Sequence, residues 1–488
     1  MKKRILMAFD LGASSGRGIL AAFDGRRVEL REAARFPNSP SLLGGRAYWN
    51  LLWIMDNIKK GIASCGVKPE SMGVDTWGVD FGLLDGSGGL LSMPRSYRDN
   101  AFDRKNMEEA IAALGGEHEL FLETCLSNWE INPLFKLYYM KKHGEEALES
   151  AKTLLMLPNL IEYFLTGKKH SEYTICATTQ LYNMKQKKWA VSLIDKIGIS
   201  RDLFTEVDYA GKILGPLNQE AARETGCNTR VISVAGHDTA SAALAAPSPS
   251  REFTFISSGT WSLISSCSPF LLEDENIIKQ GISNEAGWDG SCRSTISISG
   301  LWILQECRRQ WSESGSDYSY DELDGMAEKE KPLQSLIRPD DFVKIGNYPL
   351  KIREFCLETG QHTPEGTGQT VRCILESLAL KYRKAFDLLR PHTRGTDAVY
   401  VVGGGARNRM LNQFTANALN TPVVTGTSEA AAAGNILVQL EALGELHGDG
   451  QRKEIIENSF ESGVFLPRDR DMWDEAYGRF LGLYDKIP

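Results

Sequence analysis

The chain has 488 residues, 42% of them apolar and 24% charged, a composition of ordinary globular type on a chain too long for one core and suited to two domains. A formal net charge of −8 argues against a general nucleic-acid binder and leaves room for a local basic phosphate pocket. The nine cysteines are scattered without a Cys-x-x-Cys pair, and no segment approaches the roughly 20 apolar residues that span a bilayer. A cytoplasmic protein with reduced thiols and neither membrane nor nucleic acid as a partner is expected; a Cys356–Cys373 bridge carries no sequence signature either way.

The opening Met1 to Phe9 has the charge of a secretory leader, but Asp10 and Gly12 cut its apolar run short, and a strand explains it better. Lys3 to Asp10, Gly18 to Phe23 and Arg27 to Phe36 read as a three-stranded antiparallel meander, broken by Gly12-Ala13-Ser14-Ser15-Gly16 and then by Asp24-Gly25. Leu51, Ile54, Met55, Ile58 and Ile62 recur at helical spacing. Met72 to Asp75 and Val79 to Leu84 read as strands. Asn106 to Thr225 is mostly helical in pattern, as in Leu154 to Leu165 closed by Gly167. Val231 to Val234 is a buried strand that breaks at Gly236-His237-Asp238, and Thr239 to Ala246 reads as a helix.

Pro247-Ser248-Pro249-Ser250 is the clearest linker and divides the chain into domains at 1–246 and 247–488. Beyond it, Phe253 to Ile256, Ser257-Ser258-Gly259-Thr260 and Trp261 to Ile264 repeat the strand, small-residue turn and strand of the N-terminus. Two domains opening alike suggest a duplicated fold. Val371, Ile374, Leu375, Leu378, Tyr382, Phe386 and Leu389 mark a long amphipathic helix, and Ala398 to Val402 is a strand running into Gly403-Gly404-Gly405.

Five segments carry candidate chemistry. In Asp10-Leu11-Gly12-Ala13-Ser14-Ser15-Gly16-Arg17 a tight turn of small residues can aim backbone N–H groups at an anion. Ser14, Ser15 and Arg17 add donors and charge, and Asp10 suits a hydrated magnesium ion; the plain alternative is a hairpin turn. The match to Gly-x-Ser-x-Gly is not a nucleophile elbow, because a strand rather than a helix follows. Ser257-Ser258-Gly259-Thr260 is a second phosphate-clamp candidate, again against a plain turn. Asp238, where strand gives way to helix, reads as a general base, an N-cap, or both. Gly403-Gly404-Gly405 fails as a dinucleotide fingerprint but permits close approach of a flat adenine–ribose unit. Asp75-Thr76-Trp77-Gly78-Val79-Asp80-Phe81 suits sugar recognition, with an acidic hairpin around a buried tryptophan as the alternative. No Gly-x-x-x-x-Gly-Lys-[Ser/Thr] loop occurs, so P-loop chemistry is excluded.

Together with His237-Asp238-Thr239-Ala240-Ser241-Ala242, Ser257 to Ser262 and Gly300-Leu301-Trp302, these segments resemble, in order, the FGGY carbohydrate kinases, and within them the rhamnulokinases. The resemblance runs over roughly residues 5 to 445. It implies an α/β fold of two ribonuclease-H-like domains of the actin/hexokinase type, with ATP and sugar in a cleft between them. It implies that Ala13, Ser14, Ser15, Gly16 and Arg17 contact the phosphates and that Thr260, Gln305 and Gly404 line the nucleotide. Gly78, His237, Asp238, Thr239 and Ser297 would meet the sugar, Asp238 being the base, with Asp10 holding Mg²⁺ through water. The implied reaction converts ATP and L-rhamnulose to ADP and L-rhamnulose 1-phosphate. Ser297 stands where such kinases carry asparagine, Asn159 follows Pro158 in place of aspartate, and Ala286 replaces a glycine. Another ketose or polyol, such as L-fuculose or xylulose, therefore stays open, as does a non-catalytic actin-like ATPase or sugar sensor; the oligomeric state is not legible.

Overall fold

The computed structural model describes residues 3–343, 346–393 and 397–486. The chain forms two compact units: Met1–Ala245, Cys267–Ser294 and Glu429–Phe460 make the first, and Ala246–Ser266, Thr295–Ser428 and Glu461–Pro488 the second.

In the first unit, β1 (Arg4–Leu11), β2 (Ser15–Phe23), β3 (Val28–Pro37), β4 (Ser71–Thr76), β5 (Ile213–Pro216) and β6 (Arg230–Ile232) form one sheet in the order β5-β6-β4-β1-β2-β3. The meander β1-β2-β3 is antiparallel, while β4 and β6 run parallel to β1. Successive residues of β1 serve opposite faces. Met7, Phe9 and Leu11 join one core with Ile54 and Ile58 of the helix Leu51–Ser64. Leu6 and Ala8 join another with Ile436, Leu437 and Leu440 of the helix Ala430–Ala442. Burial on both faces is why β1 reads as an unbroken apolar run, and it is what draws residues 429–460 back to the first unit.

The second sheet, which starts at the head of the second unit, has β7 (Phe253–Ser258), β8 (Trp261–Ser268), β9 (Cys292–Ser299), β10 (Val399–Val402), β11 (Val423–Thr425) and β12 (Val464–Phe465), in the order β9-β8-β7-β10-β11-β12, with the short strand Ser283–Ala286 added outside β9. Apart from that seventh strand, the strand order of the first sheet is repeated. A hairpin starts each unit, its first strand pairs in parallel with a later one, and the far edge strand is antiparallel.

Two local expectations change. Leu154 to Met156 opens no helix: Thr153–Met156 pairs antiparallel with Phe81–Leu84, and the helix covers Leu157–Thr166. The strand expected from Val79 begins at Phe81, because Val79 sits at φ 68°, outside the extended region. All nine cysteines are buried free thiols, Cys356 and Cys373 among them.

Candidate active site

Strand register assembles the charged centre of the first unit. Asp10 lies opposite Arg17 on β2 and opposite Asp75 on β4. Arg17 pairs with Asp10 and with Glu429. One line further along, Thr76 N–H donates to Gly236 O at 2.9 Å and Thr76 bridges to His237, so Asp238 arrives at the same end of the sheet. His237 is the cap of the helix Asp238–Leu244 and Asp238 its first residue. The expected N-cap is therefore one position off: the Asp238 carboxylate accepts from Thr239 N at 2.6 Å and from the Thr239 hydroxyl at 3.1 Å.

The electrostatics divide the carboxylates. Burial, then repulsion from Asp10, raises Asp238 to about 7, while its side chain keeps 31% exposure. Such a group is about half ionised at neutral pH, more basic than an ordinary carboxylate, and reachable. Asp75 is completely buried, and burial first, with Asp10 second, pushes it well above its ordinary value. Asn435 donates to its Oδ2 at 2.6 Å, and its Oδ1 has no hydrogen-bond partner.

His237 is fixed by neighbours the sequence reading did not name. Its Nδ1 faces a guanidinium nitrogen of Arg293 at 3.4 Å, and Arg293 is held by Glu285 at 2.8 Å and by Ala286 O at 3.2 Å. Arginine only donates, so Nδ1 accepts and the ring proton belongs on Nε2, which lies 3.5 Å from Asp238 Oδ1. Burial, with Arg293 second, brings His237 down to about 3; the ring is a neutral donor. The loop is pinned by Glu172, which accepts from Gly236 N at 3.0 Å, and by Thr174, whose hydroxyl accepts from His237 N at 3.1 Å. The one available signal for Arg293 was a lone charge in the Ser/Thr/Ile run of β9.

The first turn is tied by Gly12 N–H donating to Ser15 O at 2.9 Å and by Asn38, whose amide donates to Gly12 O at 2.8 Å. Ala13, Ser14 and Ser15 border it, Ser14 exposed. Gly16 has a packing role: a Cβ there would lie 2.2 Å from the Phe36 ring. In the sugar-recognition segment Asp75 belongs to that charged centre, and Gly78 comes close to it, since a Cβ on Gly78 would lie 3.6 Å from His237 Nε2. Trp77 is a core residue: its indole donates to Asp80 at 2.8 Å and packs 4.2 Å from Trp49. Asp80 is fully buried in an ion pair with Lys136. Asn159 belongs to a buried support, its Oδ1 accepting from Glu172 N at 3.2 Å.

In the second unit the corresponding turn is tied by Gly259 N–H donating to Trp261 O at 2.9 Å. Leu301 N and Trp302 N donate to Gly259 O and Thr260 O, so Gly300-Leu301-Trp302 buttresses the turn. Thr260 donates to Gln305 Oε1 at 3.2 Å, which joins two of the expected nucleotide residues. The three glycines separate in role. A Cβ on Gly405 would strike Ser258 Oγ at 2.0 Å, whereas Gly404 faces open space. Ser297 is half-buried on β9.

The sequence model of the FGGY family of carbohydrate kinases, N-terminal domain, matches residues 5–245, and that of its C-terminal domain residues 254–443. The chain belongs to the FGGY family of carbohydrate kinases. A rhamnulokinase of Bacteroides thetaiotaomicron is 39% identical, over 98% of this chain and 99% of the relative. One of Halalkalibacterium halodurans is 36% identical, over 95% and 99%. Among solved structures, gluconate kinase of Lactobacillus acidophilus matches with a TM-score of 0.81 at 15% identity, covering 99% of this chain and 98% of that one. A xylulose kinase of the same organism gives 0.79 at 16%, with the same coverage. The fold is thus the two-domain, actin/hexokinase-like fold of the FGGY kinases, and the chain is a carbohydrate kinase that uses ATP. Among the described residues no helix is long and apolar enough to cross a membrane.

The donor set around Asp10 suits magnesium, a hard cation that keeps several waters and takes one or two carboxylates plus substrate phosphates. Among the described residues no group of three or more His, Cys, Asp or Glu is spaced to hold an ion unaided.

Proposed function

We propose that this FGGY kinase phosphorylates L-rhamnulose at O1, giving L-rhamnulose 1-phosphate, and that it works in the cytoplasm, where its buried thiols stay reduced. The observation that carries the reading is the pair Asp238 and His237. An accessible carboxylate raised to about 7 stands beside a neutral imidazole fixed as a donor, at the strand ends that also carry Asp10 and Arg17. The choice of sugar rests on the rhamnulokinase relatives.

In the proposed reaction the sugar's primary hydroxyl oxygen forms a bond to the γ-phosphorus of ATP. The bond from that phosphorus to the β–γ bridging oxygen breaks, ADP departs, and the hydroxyl proton passes to Asp238. His237 Nε2–H donates to a sugar oxygen, and the backbone of Gly78, Thr239 and Ser297 complete the sugar contacts. Ala13 to Arg17 hold the phosphates; Thr260, Gln305 and Gly404 hold the nucleotide. When bound, Mg²⁺ supplies charge neutralisation of the triphosphate, and Asp10 would hold it through water. Arg17 leaves its ion pairs with Asp10 and Glu429 to meet the incoming anion. Positioning and charge account for most of phosphoryl-transfer catalysis, which fits a site built from fixed donors.

The test is a coupled ADP-release assay over L-rhamnulose, L-fuculose, xylulose, glycerol and no sugar. Release that depends on L-rhamnulose above the others is expected. Equal release without sugar would turn the reading to an ATPase, and preference for a second ketose would move the substrate.

A further inference from the structure

Val79 is the single β-branched residue at positive φ among the described residues, at 68°. For such a side chain this conformation is a genuine outlier, and it persists only where the surroundings over-determine it. Here both of its backbone polar groups are gripped. Its N–H donates to the Thr178 hydroxyl at 3.1 Å, and its carbonyl accepts from Lys136 Nζ at 2.8 Å.

Lys136 is itself locked. Its side chain is 1% exposed and pairs with the 0% exposed Asp80, the next residue in the turn. The other oxygen of Asp80 accepts from the indoles of Trp49 and Trp77. The helix Pro133–Lys142 thus reaches into residues 77–80 with one cation that holds a carbonyl and a carboxylate at once. A buried pair of this kind is weak as a source of stability. A hydrophobic filling would serve the core as well, which leaves the geometry of the turn as what the pair secures. What the turn presents is Gly78: a Cβ on it would lie 3.2 Å from Thr178 Cγ2 and 3.6 Å from His237 Nε2, so the strained residue is what delivers this backbone to the ring beside Asp238.

We propose that Lys136, with Asp80 and Thr178, is a positioning clamp that holds Val79 left-handed and so sets the Gly78 backbone for the sugar, governing affinity for the sugar and not for ATP. The inference rests on the reading of Gly78 and His237 as sugar contacts. None of the three clamp residues touches the reacting atoms; they act through the turn.

The experiment compares the wild type with D80N/K136M, which removes both buried charges together, and with V79G/D80N/K136M, in which glycine adopts φ 68° without a clamp. Steady-state kinetics are measured with L-rhamnulose and ATP, with thermal melts as the check on folding. The clamp predicts a rise in the sugar KM of about tenfold or more in D80N/K136M, with the ATP KM within about twofold, and return of most of that loss in the triple variant. An unchanged sugar KM in D80N/K136M, or a raised one that glycine fails to rescue, overturns the inference. Should D80N/K136M not fold, T178V against V79G/T178V asks the same question from the other side of the turn, and the absence of a glycine-rescued rise in sugar KM there overturns it equally. If wild-type protein shows no sugar-dependent turnover at all, the proposed function has failed, and the clamp with it, for a distinguishable reason.

Discussion

The two units build the same backbone device and dress it differently. Each starts with a hairpin whose turn is tied by a glycine N–H, Gly12 in one and Gly259 in the other. Each pairs its first strand in parallel with a later one. Around the first turn stand Asp10, Asp75, Asp238, Arg17 and Glu429, Asp10 and Asp75 buried and the others half-buried. Around the second stand Thr260, Gln305 and Gly404, all neutral. The turn is a generic anion cradle; under the proposed function, the ionisable groups brought in by neighbouring strands would separate a reacting unit from a holding one.

Removing the base should break that contrast most severely. Asp238→Asn is expected to lower kcat by about 10²–10⁴, while ATP binding by calorimetry stays close to wild type; kcat within a few-fold of wild type would take the base out of the first unit. Loss of the guanidinium behind the imidazole comes next. In Arg293→Lys the Nδ1 of His237 loses its geometric partner, so the Nε2–H tautomer should no longer dominate in ¹⁵N spectra and the sugar KM should rise about tenfold. An unaltered tautomer would show that Arg293 only fills space. A smaller effect is expected in the neutral unit: Thr260→Val should raise the ATP KM a few-fold and leave the sugar KM unchanged, and a shift in the sugar KM instead would erase the division between holding and reacting.

How much of this was legible follows from the range of the forces involved. The meander, its turn residues and the repeat of the pattern after Pro249 are local signals, and they read directly onto β1 to β3 and β7 to β8. His237 and Asp238 were visible because a strand stops and a helix starts there. A buried Trp77 was the alternative reading of its segment; what decides for it, the contacts with Trp49 and Asp80, is not legible in the local sequence. Asp80 and Lys136 lie 56 positions apart, and no periodicity links them. The strand at Thr153–Met156 exists because Phe81–Leu84 is beside it. The departures at Asn159 and Ala286 looked like substrate signals; one lies in the buried support behind Glu172, and the other offers its carbonyl to Arg293.

The support behind the loop gives the smallest effect. Burial raises Glu172 from 4.5 to about 7 despite the N–H groups of Thr174 and Gly236 that favour its charge. A carboxyl raised on folding contributes stability that is complete below 4.5 and lost as pH rises through 7. The melting temperature should therefore decline between pH 5 and pH 8, and Glu172→Gln should shrink that decline by a few degrees; an identical slope in both proteins would remove Glu172 from the balance.

The most direct measurement is the pH dependence of kcat/KM for the sugar, in wild type and in Asp238→Asn. A base that titrates at about 7 must lose its proton to work, so wild-type kcat/KM should fall about tenfold per unit below pH 7 and level off above it. The residual activity of the variant should lack that break. A wild-type profile that is flat from pH 5.5 to 8.5, or a break that survives in Asp238→Asn, would contradict the assignment.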